Sequence, residues 1–243
     1  MIPVILSIIA ILITLFIISL TSHTRVSKLY KKNLMVSNTA GLNGFMLANM
    51  AIEDLKLDQV RIATTKQSFG DAYSSKHKML ILSGEVGNYH SVTSLAVCAH
   101  ELGHALQDRT NNPLFHLCVI LQRITRFTNK LIMPVLLVGL ALFALGYFNL
   151  FNTFESNTNI QNIGFGIVIA FVALFGFNLF YKLITIPMEY RASRLALWYL
   201  TDKQLLDKRE RRLVKRLLNA AAQTYLSDLF SGIIWIHNKI FKF

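Results

Sequence analysis

His100, Glu101 and His104 stand in the run Ala99-His100-Glu101-Leu102-Gly103-His104-Ala105. On a helix, residues four apart share a face, so the two imidazoles can present nitrogens to one metal ion. Glu101 lies beside that face, where a carboxylate can take a proton from a water that the metal activates and return it to a leaving amine. This is the chemistry of zinc-dependent peptide hydrolysis. Ordinary usage of His and Glu produces the pattern by chance in about one chain in a hundred of this length, so the plain alternative is a pair of structural histidines on an amphipathic helix. The neighbours favour the metal. Ala99, Gly103 and Ala105 are small enough to let other groups approach, and Leu95, Val97, Leu102 and Leu106 supply a core.

A catalytic zinc takes three protein ligands and keeps one position open. The three-histidine extension of the metzincins fails here, because Thr110 stands where its last histidine belongs and Gln107 where its glycine belongs. His116 is conceivable, but it follows Asn112-Pro113 in a short stretch with no partner at useful spacing. The choice among carboxylates depends on how the chain is laid out.

The 243 residues are 53% hydrophobic and only 16% charged, too apolar for an ordinary soluble domain. Residues 2–20 are apolar apart from Ser7, Thr14 and Ser19, and basic residues follow the run instead of preceding it. This predicts an uncleaved transmembrane anchor. Further spans are expected at 131–151 and 163–181, joined by a short polar connector at 152–162. Arg25, Lys28, Lys31 and Lys32 follow the first run; Arg123, Arg126 and Lys130 precede the second; Lys182, Arg191 and Arg194 follow the third. The connector has no Lys or Arg. By the positive-inside rule, 21–130 and the chain from 182 onward are cytoplasmic and the connector is external. Most of the formal +12 charge thereby serves topology, and nucleic acid is not an expected partner.

The segment 182–216 ends in a basic amphipathic helix, with Thr201 and Gln204 at capping-box spacing and Lys208, Arg209, Arg211, Arg212, Lys215 and Arg216 beside recurring leucines. Residues 217–236 are either a fourth span or an interfacial helix, since Asn219, Gln223 and Asp228 interrupt their apolar character. The expected class is a mainly α membrane protein with three or four transmembrane helices. Under this layout Glu155 lies across the membrane, while Asp202, Asp207 and Glu210 belong to a solvated helix. Glu189 remains. It follows Pro187, which reads as a helix start, and 188–200 then carry Glu189, Ala192, Ser193 and Ala196 on one face. The plain alternative is a solvated first-turn glutamate favoured by the helix dipole. Two spans between His104 and Glu189 return the chain to the side it left, so His100, His104 and Glu189 share a compartment.

Residues 60–65 and 78–83 read as strands, and an exposed edge at the second could hold an extended peptide, an ordinary buried strand being the alternative. Cys98 reads as a small buried side chain turned away from the two histidines; two cysteines cannot build a disulfide framework. Trp198 and Trp235 read as packing or interface anchors.

The histidine motif, with Pro187-Met188-Glu189-Tyr190-Arg191-Ala192-Ser193-Arg194 far downstream and with Asp71-Ala72-Tyr73, 78–83 and Asn219-Ala220-Ala221-Ala222, resembles the bacterial membrane-bound neutral zinc metallopeptidases called YugP-like. Glu189-Tyr190-x-Ala192 is more distantly similar to the third-ligand motif of the HtpX-type membrane peptidases, whose glutamate binds zinc and which carry an aspartate where this chain has Ser193. The resemblance implies a zincin-like α+β catalytic domain with a small sheet, anchored in the bacterial cell membrane, with Zn2+ as cofactor and a protein or peptide as substrate. Glu101 would be its general base, and Tyr73, His90 and Tyr190 are candidates to stabilise an oxyanion. Two other readings are a non-catalytic membrane adaptor with structural zinc and an intramembrane protease, the latter disfavoured by polar residues at both ends of the histidine run. Self-association or a membrane partner is left open.

Overall fold

A computed structural model describes residues 21–148 and 154–227, so the expected span at 2–20 and the part of 217–236 beyond residue 227 lie outside the described residues. The described residues are mainly helical, with one small sheet. In order, the elements are α1 (21–34), α2 (Gly44–Asp54), β1 (Arg61–Thr65), β2 (Ala72–Ser74), β3 (Met79–Ser83), α3 (Gly84–Asn88), α4 (Val92–Arg109), α5 (Pro113–Tyr147), α6 (Phe154–Asp202) and α7 (Lys208–Ser227). They form two compact units. One groups the described residues up to His116 with those from Thr185 onward; the other is Leu117–Ile184.

In the first unit, β3 pairs in parallel with β1 and antiparallel with β2, giving the order β1-β3-β2. β3 is therefore central, and the free edges belong to β1 and β2. The buried-strand reading of 78–83 holds and the edge reading does not. Three residues of β2 are too few to show an alternating pattern in sequence. Leu80 and Leu82 of β3 are fully buried with Leu47 of α2, Leu95 and Leu102 of α4, Leu200 of α6 and Val214 of α7. Each such side chain contributes about 1.5–3 kcal/mol on leaving water.

Local signals explain where the helices begin. Ser91 caps α4, its hydroxyl accepting from the Ser94 N–H at 3.0 Å. Asn112 accepts from the N–H groups of Leu114 and Phe115, and Pro113 fills the first helical position of α5, where a missing N–H costs nothing. Pro187, by contrast, does not start a helix. It lies inside α6, which runs unbroken through the apolar stretch to Asp202. The expected connector is also mostly helical, since α6 starts at Phe154 and neither Gly nor Pro interrupts 154–162.

Thr201 and Gln204 do not make the expected capping box. It forms three residues after Gln204, between Asp207 and Glu210: the Asp207 side chain accepts from the Glu210 N–H at 2.6 Å and Glu210 accepts from the Asp207 N–H at 2.9 Å. Glu210 is consequently not a solvated residue of the basic helix. It is 3% exposed and also accepts from the Thr39 N–H and hydroxyl at 2.6 and 2.7 Å, which ties α7 to the segment after α1.

In the second unit the two long helices pack through small and polar residues. A Cβ on Gly164 would lie 2.3 Å from the Phe143 nitrogen, so only glycine permits this approach. Asn178 donates to the Thr128 hydroxyl at 3.1 Å in a buried contact. Elsewhere the unit turns outward Leu137, Val138, Ile163, Phe165, Ile169 and Val172. α5 and the 158–202 part of α6 are long and apolar enough to cross a membrane, and only 11% of the most apolar window of each is buried, unlike the core helix of a soluble protein. Among the described residues these are two candidate spans, and they contain the second and third expected runs.

Glu210→Ala should leave three donors of Thr39 and Asp207 without their acceptor and cost about 2–3 kcal/mol, read as a fall in the unfolding midpoint of the detergent-solubilised protein. An unchanged midpoint would contradict the part given to this carboxylate.

Candidate metal centre

His100 and His104 leave α4 one turn apart, with ring centroids 4.9 Å apart and planes at 86°. Glu189 comes to them from α6. Its Oε2 lies 3.2 Å from Nε2 of His100 and 3.3 Å from Nε2 of His104. The ligand-capable atoms of all three residues fall within 4.8 Å of one another. Donors about 2.0–2.1 Å from a tetrahedral zinc sit about 3.3 to 3.4 Å from each other, so the two carboxylate-to-imidazole separations and the two-nitrogen, one-oxygen donor set both fit the ion.

The backbones of α4 and α6 make this reach possible. A Cβ on Gly103 would stand 2.7 Å from the Ala192 carbonyl oxygen, and Ala192 is itself fully buried. Glu189, Ala192, Ser193 and Ala196 are all buried, the face expected from sequence. Glycine on one helix facing alanine on the other lets a short carboxylate side chain span the gap.

Both imidazoles are also held from behind. Gln107, 2% exposed, donates through its amide nitrogen to the Met188 carbonyl at 3.0 Å, so its amide oxygen faces His104 Nδ1 at 3.1 Å. Nδ1 is then a protonated nitrogen, and Nε2, which faces Glu189, is the atom left to bind a metal once its own proton is lost. Ser193 Oγ lies 3.3 Å from His100 Nδ1, in place to do the same without a charge. Burial by itself lowers the His104 pKa, but the Glu189 carboxylate outweighs it and lifts the imidazole to about 9. Metal uptake near neutral pH must therefore displace a proton from this ring.

Glu101 is held on the other side. The Tyr73 N–H, on the free edge of β2, donates to its Oε2 at 2.9 Å. Burial pushes the Glu101 carboxyl above the usual carboxylate range, and the nearby His100 and His104 oppose that rise. Tyr73 is gripped a second time, its hydroxyl donating to Asp108 at 2.7 Å, while Lys78 pairs with the same Asp108 oxygen at 2.6 Å. Burial and Asp108 push the Tyr73 phenol up, so it stays a proton donor. Phe115 covers the cluster, 6.0 Å from His104 and 6.5 Å from Tyr73 between ring centroids.

The other sequence candidates separate. His116 is not in the metal-capable group and packs edge-on against Phe115 instead. The Tyr73 hydroxyl is committed to Asp108. His90 is exposed, and Tyr190 lies partly buried on α6. Cys98 is fully buried, with its thiol 3.2 Å from the Gly44 carbonyl. Gln107, Asp108 and Phe115 were missed. The polar pair read as the wet end of α4, and nothing in their spacing shows that both are buried.

Comparison with known proteins agrees with this chemistry. The family described as "Putative neutral zinc metallopeptidase" matches residues 8–242. "Putative membrane protease YugP" of Bacillus subtilis (strain 168) is 27% identical over 210 residues, covering 86% of this chain and 84% of that protein. No solved structure matches.

Gly103→Ala should force α6 away at Ala192 and weaken zinc binding about tenfold or more, the size of effect seen when a ligand's support is disturbed, as read by competition with a chromogenic chelator. Wild-type affinity in a folded variant would show that the close approach does not set the site.

Proposed function

This chain belongs to the "Putative neutral zinc metallopeptidase" family, and on that footing we propose that it is a membrane-anchored zinc endopeptidase acting at the cytoplasmic membrane face. The observation that carries the reading is the convergence of His100, His104 and Glu189, from two helices, with Glu101 beside them. Zinc held there by these three residues would polarise a scissile carbonyl and make a water a competent nucleophile near neutral pH.

The remaining steps belong to the chain's own residues. Glu101 takes the proton of the attacking water and delivers it to the leaving amine. Burial suits it to this work by raising its affinity for the proton, and the Tyr73 N–H fixes the direction of the carboxylate. Gln107 and Ser193 hold the imidazoles so that Nε2 of each stays turned inward. A peptide that runs past the β2 edge would approach Glu101 directly, since Tyr73 on that edge already touches it.

Three protein donors converge among the described residues, whereas structural zinc is usually closed by four. That favours an enzyme over an adaptor stapled by zinc. The cytoplasmic side is supported by Arg25, Lys28, Lys31, Lys32, Arg123, Arg126, Lys130, Lys182, Arg191 and Arg194, which flank the apolar runs.

Glu101→Gln should lower kcat on an unfolded protein substrate by about 100- to 10,000-fold while zinc content stays at the wild-type level. Undiminished cleavage by the zinc-loaded variant would refute the role of Glu101.

A further inference from the structure

We propose that α1 and α7 together form a docking face for the headgroups of anionic phospholipids. Two contacts establish how these helices lie. Near the start of α7, Glu210 accepts from Thr39, just beyond the end of α1; toward its far end, Gln223 accepts from Arg25, near the beginning of the described part of α1, at 3.4 Å. The helices therefore run side by side in opposite directions. Arg25, Lys28, Lys31 and Lys32 are exposed on one, and Lys208, Arg209, Arg211, Arg212, Lys215 and Arg216 on the other.

Little on this face offsets that charge. Glu210, the acid within the cationic stretch of α7, is turned inward and occupied by backbone and hydroxyl donors. Among the described residues, the Lys–carboxylate pairs are Lys78 with Asp108 and Lys203 with Asp54, and neither involves α1 or α7. Cations on neighbouring helical turns lie within about one Debye length of each other, ~8–10 Å at moderate salt, so they act as one field.

The apolar side of α7 decides how the face can bind. Val214, Leu217, Leu218 and Ala220 are buried within the unit's own structure, so the described side chains of α7 leave no free apolar stripe to sink among acyl chains, as an interfacial amphipathic helix would. What it offers is cations alone, spread along two rods. A layer of phosphate headgroups matches such an array, each nearby Lys or Arg contributing to binding. A lipid surface fits better than a nucleic acid because the same unit is joined through the continuous α5 and α6 to the two apolar candidate spans, and the α1 cations follow within a dozen or so residues of the apolar run 2–20. This inference needs residence at a membrane but not peptidase activity, so the two can fail separately.

Native mass spectrometry of the intact detergent-solubilised protein, titrated with phosphatidylglycerol or phosphatidylcholine, tests it. The wild type should retain phosphatidylglycerol about tenfold or more tightly than phosphatidylcholine, and the exposed-site variant Arg209→Gln, Arg212→Gln, Lys215→Gln, Arg216→Gln should lose most of that preference with an unchanged unfolding midpoint. Equal retention of the two lipids by the wild type would overturn the proposal. So would a preference that survives in the variant, which would put the lipid elsewhere, or a short RNA displacing bound phosphatidylglycerol at low stoichiometry.

Discussion

Glu189 can meet two histidines on another helix only because α4 and α6 approach until backbone touches backbone. At Gly103 there is no room even for a methyl group against the Ala192 carbonyl. A carboxylate has a short reach, so a separation larger by one side-chain layer would leave it outside coordination distance of Nε2 on either ring. Gly103 and the Ala192 it faces are therefore part of the site's geometry as much as the histidines are. Their absence of bulk turns two helices distant in sequence into one wall of a metal-capable cluster.

Such an approach buries polar groups, and each must be answered. Gln107 spans the same junction, bonding His104 with one end of its amide and the Met188 carbonyl with the other. Asp108 answers Tyr73 and Lys78, and Tyr73 in turn meets Glu101. The polar residues behind the cluster thus have a common logic: Gln107 and Tyr73 each hold a group that faces the cluster and Asp108 holds Tyr73, where an unsatisfied buried group would cost about 1–3 kcal/mol. Gln107→Leu would keep the volume and lose both bonds at once.

Parts of this were legible in the sequence for physical reasons. Residues four apart on a helix must share a face, which revealed His100 and His104. Glu189 was reached by discarding Glu155 as lying across the membrane and Asp202, Asp207 and Glu210 as solvated, a ground that fails for the buried Glu210, and its small-residue face, with Ala192, Ser193 and Ala196, is buried as the pattern implied. What was not legible depends on tertiary context. Pro187 has the appearance of a helix start, yet α6 continues through it. Asp207 and Glu210 cap α7 while Thr201 and Gln204 have the same spacing and do not, because Glu210 is drawn inward by Thr39, far away in sequence. β2 is too short to announce itself, and its backbone N–H, the group that holds Glu101, has no signature in the sequence.

The central claim is that Glu189 completes a zinc site begun by the two histidines. Zinc content per chain, measured by elemental analysis on purified wild type and Glu189→Ala with matched circular dichroism, tests it most directly. The account predicts about one zinc per wild-type chain and loss of most of it in the variant after gentle dialysis. A folded Glu189→Ala protein that keeps its full zinc through the same dialysis would contradict it.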